Sequence, residues 1–257
     1  MVKRKRVILI SILLLIVSLT LIGLLQFKKS SSLIDSPLYI LSIGDSVTEG
    51  AMDNFSDNHW LKNYNYFLAK KLDEAKVKSV FLGHGSNEPG APNNEGHGGY
   101  CISPAKDECV FQNAPIMFKE NSLLFHLDEF LKQPKTPNLI ILQGGINDIN
   151  VGFNSDKLGN LNDNFDEYLK RTRNRYPDAK IILLPPVSSD DRMNLREKIS
   201  SFSNYLLSKE SESIAFVDCS AMEFEQYFIK DKIHPNEKGY NLLAELISKK
   251  MTEKGWI

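Results

Sequence analysis

Apolar residues follow two different rhythms along this chain. Between residues 7 and 27 they run almost unbroken for about 21 positions, interrupted only by Ser11, Ser18, Thr20, Gly23 and Gln26. A helix of that length, rising 1.5 Å per residue, crosses a hydrocarbon core of roughly 30 Å. From residue 38 onward the runs are short, at 38–43, 77–82, 139–142, 181–184 and 214–217, each stopped by Gly, Gln-Gly, Pro or Asp. Such runs read as buried strands. The stretches between them carry helical spacing. Residues 60–72 place Trp60, Tyr64, Phe67, Leu68 and Leu72 on one face, and 121–131 do the same with Leu124, Leu127 and Leu131. Segments 164–176, 195–207 and 237–251 complete the set.

Strands alternating with helices predict an α/β fold, with a parallel sheet covered on both faces and joined by right-handed crossovers. The expected architecture is a flavodoxin-like three-layer α/β/α sandwich on a five-stranded parallel sheet, filling residues 38–257 and preceded by one N-terminal transmembrane helix. One stretch departs from the rhythm: residues 83–115 are rich in Gly, Asn and Pro, and unstructured segments of this length inside a domain are usually functional or mobile.

Charge sharpens the reading of the N-terminus. Lys3, Arg4, Lys5, Arg6, Lys28 and Lys29 all precede the first acid, Asp35. Of 31 basic and 32 acidic residues, about 25 basic therefore face the full 32 acids in the remainder, roughly −7. A body so acidic argues against nucleic acid as a partner. The basic cluster assigns residues 1–6 to the cytoplasm, 7–27 to a signal-anchor, 28–37 to a linker, and the body to the far side of the membrane. The competing reading is a cleaved secretory signal. Against it, the run exceeds the usual h-region of ~7 to 15 residues, and the small-residue stretch Ser30-Ser31-Ser32 lies behind two lysines. The body is thus expected to be membrane-anchored outside the cytoplasm or secreted. Three cysteines are too few for a disulfide framework, but an exported setting permits a local bridge between Cys101 and Cys109 around the loop that holds Pro104. Cys219, at a strand end, reads as a buried packing residue.

Ser46 follows Gly44-Asp45 at the end of the first apolar run, so its hydroxyl emerges at the carboxyl edge of a strand, where open α/β sheets bind ligands. A serine hydroxyl needs a base to become a nucleophile. Of five histidines, His59, His84, His97 and His126 each read singly as surface or packing residues. His234 stands in Asp231-Lys232-Ile233-His234-Pro235, with Pro235 suited to the first turn of the following helix. Three residues of separation let Asp231 reach the imidazole Nδ1 proton and leave Nε2 free as a base. A helix-capping cluster is the plain alternative. Asn147, in Gly144-Gly145-Ile146-Asn147-Asp148 beyond another apolar strand, offers an amide donor at the same sheet edge; an Asn-Asp turn is the plain alternative there. Glu95-Gly96-His97-Gly98-Gly99-Tyr100 offers glycine amides to a ligand, or simply a flexible loop.

These four blocks, in this order and context, resemble the SGNH hydrolases, also called GDSL esterases, over about residues 38–250. The resemblance implies Ser46 as nucleophile, His234 as general base and acid, and Asp231 as its orienting partner. The backbone amides of Ser46 and Gly99 with the Asn147 side chain would form the oxyanion hole. Gly99 is preferred over Gly98 because the family's glycine commonly precedes a short turn into helix. The run Val80-Phe81-Leu82-Gly83 followed by the Glu95 to Tyr100 block is similar to the acetylxylan-type carbohydrate esterase branch, from which residues 104–112 depart. The implied activity is hydrolysis of a short O-acetyl ester on a carbohydrate or cell-envelope polymer, without a cofactor or metal. Three alternatives stand beside it: a membrane-associated lipid esterase, a non-catalytic glycan-binding module, and a metal-dependent phosphoesterase using Asp45, Asp148, Asp231 and His234.

Overall fold

The first apolar run becomes an interior strand of the sheet because its residues from Ile40 onward are buried. The structure, a computed structural model, describes residues 36–50, 62–85, 91–104, 109–110, 116–117, 120–151, 160–190, 194–222 and 224–257. Strand β1 (Leu38–Gly44) runs into the four-residue helix α1 (Ser46–Glu49). After it come α2 (Tyr64–Glu74), β2 (Ser79–Leu82), β3 (Glu95–Gly96), the antiparallel pair β4 (Cys109–Val110) and β5 (Ile116–Met117), and α3 (Leu123–Phe130). The C-terminal half supplies β6 (Leu139–Gln143), α4 (Ile146–Val151), α5 (Leu161–Arg175), β7 (Lys180–Leu184), α6 (Leu195–Leu207), β8 (Ile214–Phe216) and α7 (Glu237–Glu253).

The main sheet is parallel in the order β2-β1-β6-β7-β8, with the two-residue β3 added beside the end of β1. Alternate residues of each strand feed opposite layers, as the period of two demands. Leu41, Ile43, Ile140, Leu142, Ile181 and Leu183 pack with α3, α5 and α6, while Ile40, Ile141, Ile182 and Leu184 pack with α2 and α7. Both faces are therefore covered, and truncating a fully buried member such as Leu68 to Ala would cost about 2–5 kcal/mol. The chain leaves β1 toward β2 on one side and returns to β6 on the other. The gap between β1 and β6 is thus the topological switch point, where open sheets hold ligands.

Several details differ from the sequence reading; helix α5, for one, starts at Leu161 rather than at residue 164, with Asn160 as its cap. Strand β2 starts at Ser79, not at residue 77, because Val77 and Lys76 close α2: their amides donate to Leu72 and Asp73 carbonyls, and Lys76 takes a left-handed φ of 59°. Pro235 is not in the first turn of α7. Asn236 is the N-cap, its Oδ1 accepting from the Gly239 amide, which leaves Pro235 outside in a bridge with Phe228. No helix follows Gly99-Tyr100; a turn at 98–99 leads into a parallel bridge between Cys101 and Ser122. The sheet also gains β3 as a sixth strand, too short to announce itself by periodicity.

The expected anchor at 7–27 and most of the linker at 28–37 lie outside the described residues, as do Trp60 and His59. Among the described residues no helix is long and apolar enough to cross a membrane. Cys101 is buried, whereas the Cys109 side chain, and with it the expected bridge, falls outside the described set. Cys219 is buried, and burial pushes its thiol well up, away from nucleophilic use.

Candidate active site

Gly44 ends β1, and Asp45 immediately starts α1 by capping it: Asp45 Oδ1 accepts from the Val47 amide at 3.0 Å. This abrupt strand-to-helix turn presents Ser46 at the sheet edge, only 7% exposed. Beneath it lies a buried polar layer. Gln143 Oε1 accepts from the Asp45 amide at 3.1 Å and from Thr48 Oγ1 at 2.9 Å, while Thr48 Oγ1 and the Tyr64 hydroxyl share a 2.9 Å hydrogen bond. Asn63 Nδ2 donates to the Thr48 carbonyl at 2.7 Å. Asp45 Oδ2 and Gln143 Nε2 are buried without a hydrogen-bond partner. Burial raises the Asp45 carboxyl to about 6; the Val47 amide, the Gln143 side chain and the His234 charge oppose that rise.

His234 arrives from the far end of the chain, yet its Nε2 stands 2.8 Å from Ser46 Oγ. On the other side its Nδ1 is hydrogen-bonded to Asp231 Oδ2, while Asp231 Oδ1 accepts from the Ile233 and His234 amides at 2.8 and 2.9 Å. An ionised carboxylate only accepts, so Nδ1 carries the proton and Nε2 is the acceptor facing serine. Burial pushes the Asp231 carboxyl up, but the hydrogen bond and charge of His234 and the two amides outweigh it, and the group ends below its ordinary range. The turn is braced from outside. Ser188 Oγ and the Ser189 amide both donate to the Lys232 carbonyl, at 2.8 and 2.9 Å, and the Ile229 amide donates to the His234 carbonyl at 3.0 Å.

The glycine segment is tied to the serine turn by backbone. Strand β3 pairs Glu95 with Ile43 and Gly96 with Gly44, and the His97 amide donates to the Gly44 carbonyl at 2.9 Å. A side chain on Gly98 would meet Glu49 Oε2 at 2.5 Å and lie 4.0 Å from Ser46 Cβ, so this backbone flanks the serine. Gly99 follows with φ at +78°, a left-handed value that glycine tolerates, and a side chain there would meet nothing within 4 Å. Asn147, in the first turn of α4, donates through Nδ2 to the Tyr100 carbonyl at 2.8 Å. That contact draws β6's outgoing turn against the residue after Gly99.

Sequence reasoning passed over the supports of this loop. Glu95 is buried, and its Oε1 accepts from the His84 amide, His84 Nδ1 and Gln133 Nε2 at 2.8, 2.6 and 3.1 Å, with His97 Nε2 at 3.6 Å from Oε2. Burial raises this carboxyl, but His97, His84 and Gln133 together hold it below its ordinary value. Asp148 clamps the next stretch, accepting from the Ile102 and Ser103 amides at 2.8 and 2.9 Å. Its carboxyl is raised, chiefly by burial, against the pull of Ser103 and the Ile102 amide. In the sequence Glu95 stands beside Gly96 and Asp148 directly after Asn147, but the partners that give them their roles are distant. Among the described residues no three His, Cys, Asp or Glu side chains gather as a metal site.

A model of the GDSL-like lipase/acylhydrolase family matches residues 42–242. The chain belongs to this family. No curated protein matches its sequence. Among solved structures, the fold is similar to a family 3 carbohydrate esterase of Clostridium thermocellum, with a TM-score of 0.64 at 18% identity over 86% of this chain and 98% of the other. A lipase from a goat rumen metagenome gives 0.60 at 18% over 83% and 97%, and a Geobacillus acetyl-xylooligosaccharide esterase gives 0.58 at 17% over 85% and 95%. The expected SGNH fold, now placed in the GDSL-like family, thus carries a serine ester hydrolase. Within this GDSL-like enzyme, Ser46, His234 and Asp231 form one hydrogen-bonded row, and Asn147 and the 98–100 turn join through Tyr100.

Proposed function

We propose that this GDSL-like hydrolase removes short O-acetyl groups from a carbohydrate or cell-envelope polymer through an acyl-enzyme on Ser46. The observation that carries the chemistry is the unbroken row from Ser46 Oγ through His234 Nε2 and Nδ1 to Asp231. His234 takes the Ser46 proton as Oγ attacks the acyl carbonyl, and Asp231 stabilises the imidazolium that forms. The Ser46 and Gly99 amides and Asn147 Nδ2 receive the developing oxyanion. His234 then protonates the departing sugar oxygen, the C–O bond breaks, and the acyl group stays on Ser46. Water enters, gives its proton to His234, and attacks the acyl-serine; the proton returns to Oγ as acetate leaves.

The acetyl and carbohydrate assignment draws on the printed activities of the Clostridium and Geobacillus structural neighbours, and on the glycine block of the sequence. Residues 7–27 are assigned as a retained membrane anchor following a cytoplasmic segment 1–6, with 38–257 held outside the cytoplasm by the linker 28–37; the charge bias around the apolar run supports this.

The test is acetate release from acetylated xylo-oligosaccharides and peptidoglycan fragments, beside p-nitrophenyl esters of rising chain length, for wild type and Ser46→Ala. Release by wild type alone, with a fall in rate beyond short acyl groups, is the expected result. Preference for long acyl chains would replace the reading with a lipid esterase. A Ser46→Ala protein as active as wild type, or a wild type that a fluorophosphonate does not label, would remove the serine mechanism.

A further inference from the structure

Outside the row of reacting groups, and beside the Glu49 carboxylate at Gly98, a series of aromatic rings starts at the residue after Gly99 and continues from ring to ring. Tyr100 is the residue after Gly99, and its carbonyl holds Asn147. Its ring stacks on His97, with centroids 5.0 Å apart and planes 25° apart, and His97 stacks in turn on buried Phe130 at 4.4 Å. The column fixes the orientation of Tyr100 from the core outward. From Tyr100 the rings step to His126 at 6.0 Å, and from there to Phe125 at 5.0 Å on the surface of α3. Tyr100 and His126 are half-buried and Phe125 is 47% exposed.

We infer that Tyr100, with Phe125 beyond it, is the platform on which the sugar rings of a neutral glycan substrate stack while one acetyl group is presented to Ser46. The inference rests on the carbohydrate esterase reading above. An aromatic face carries partial negative charge and attracts the polarised C–H face of a pyranose, while the apolar contact removes area from water. A ring locked by a stacking column loses little side-chain entropy on binding. The electrostatic surroundings select the class of glycan. Glu129 pairs with His126 at 3.4 Å, Arg171 is held by Asp128 at 2.7 Å and by the Leu124 carbonyl, and the body is net acidic, all of which disfavours an anionic polymer. The sugar is the alcohol part of an O-acetyl ester, so a strip that stacks the sugar engages the alcohol side of the ester rather than the acyl side.

The experiment compares the full-length wild type with Tyr100→Ala, Tyr100→Phe and Phe125→Ala, with fluorophosphonate titration counting active molecules in each preparation. The readout is the ratio of kcat/KM on acetylated xylo-oligosaccharide to kcat/KM on p-nitrophenyl acetate. That ratio is expected to fall about tenfold in Tyr100→Ala, equivalent to about 1.4 kcal/mol, and by a smaller factor in Phe125→Ala. The fall should appear mainly in KM, and Tyr100→Phe should keep the wild-type ratio. Should Tyr100→Ala not titrate as active enzyme, Phe125→Ala decides alone. An unchanged ratio in the alanine variants that titrate, beside a wild type that deacetylates the oligosaccharide, overturns the platform and leaves the carbohydrate reading standing. A wild type that splits p-nitrophenyl acetate but releases no acetate from the oligosaccharide overturns both.

Discussion

Replacing Asp45 by Asn should make the protein more stable at neutral pH, and by an amount that depends on pH in a calculable way. Asp45 is fully buried, and one of its oxygens caps α1 while the other has no hydrogen-bond partner. Asn caps a helix about as well as Asp, so the bond to the Val47 amide survives the exchange. What disappears is the cost of holding a charge behind Ser46. An acid whose folded pKa lies above its unfolded one contributes stability that is whole below the unfolded value and is lost as pH rises through the folded one. For Asp45 that window runs from 3.8 to about 6. The full loss amounts to about 3 kcal/mol, and at pH 4.5 about 1 kcal/mol of it has already been incurred. The gain from Asp45→Asn at pH 7.5 should therefore exceed the gain at pH 4.5 by about 2 kcal/mol. Urea unfolding of both proteins at the two pH values, followed by circular dichroism, measures this difference directly. A gain that is the same at both values, or larger at pH 4.5, would refute the claim that Asp45 is ionised at neutral pH against its surroundings. The same exchange removes a negative charge that favours the protonated His234, so a lower kcat in the stabilised variant is the expected companion.

Two further substitutions test the oxyanion side. Asn147→Ala should lower kcat on p-nitrophenyl acetate by roughly 10²- to 10³-fold; unchanged turnover in a steady-state assay would remove Asn147 from that role. Gly96→Ala would place a methyl group 2.2 Å from the Glu49 amide nitrogen and force β3 away from the serine turn, at a cost of about 1–3 kcal/mol and with reduced kcat. Thermal unfolding and turnover of that variant matching wild type would show that the two segments are not rigidly joined.

The parts of this molecule legible in the sequence are those whose physics is local. Strands β1, β6 and β7 announce themselves because a parallel strand buried on both faces must be apolar at nearly every position. Helix α6 lies within the bounds its spacing predicts, Leu195–Leu207. Boundaries set by caps were harder: Pro235 and Asn236 are both good helix starters, and only the reach of the Asn236 side chain to Gly239 decides between them. Strand β3 was illegible because two residues have no period, and their pairing depends on Ile43 and Gly44, some fifty positions earlier. Ser46, Asp231 and His234 could be singled out by chemistry and context, but no pattern in the chain reports that a serine and a histidine 188 residues apart stand 2.8 Å from each other. The Glu95, His97 and Gln133 cluster escaped notice for a related reason, since each of its members read alone is an ordinary polar residue.

The Cys101 bridge to Ser122 carries a consequence for how such an enzyme changes over generations. The Cys101 amide donates to the Asn121 carbonyl and the Leu123 amide to the Cys101 carbonyl, so the chain departs from and rejoins the scaffold at almost the same point. Asp148 secures the departing chain through the amides of Ile102 and Ser103. Whatever length of chain is spliced between those two anchorages, its ends stay put, and closing a longer loop costs only about 0.6 kcal/mol per doubling. The span between Cys101 and Ser122 is in effect a grafting port, where new recognition can be tried without recalibrating the serine, the histidine or the turn between them.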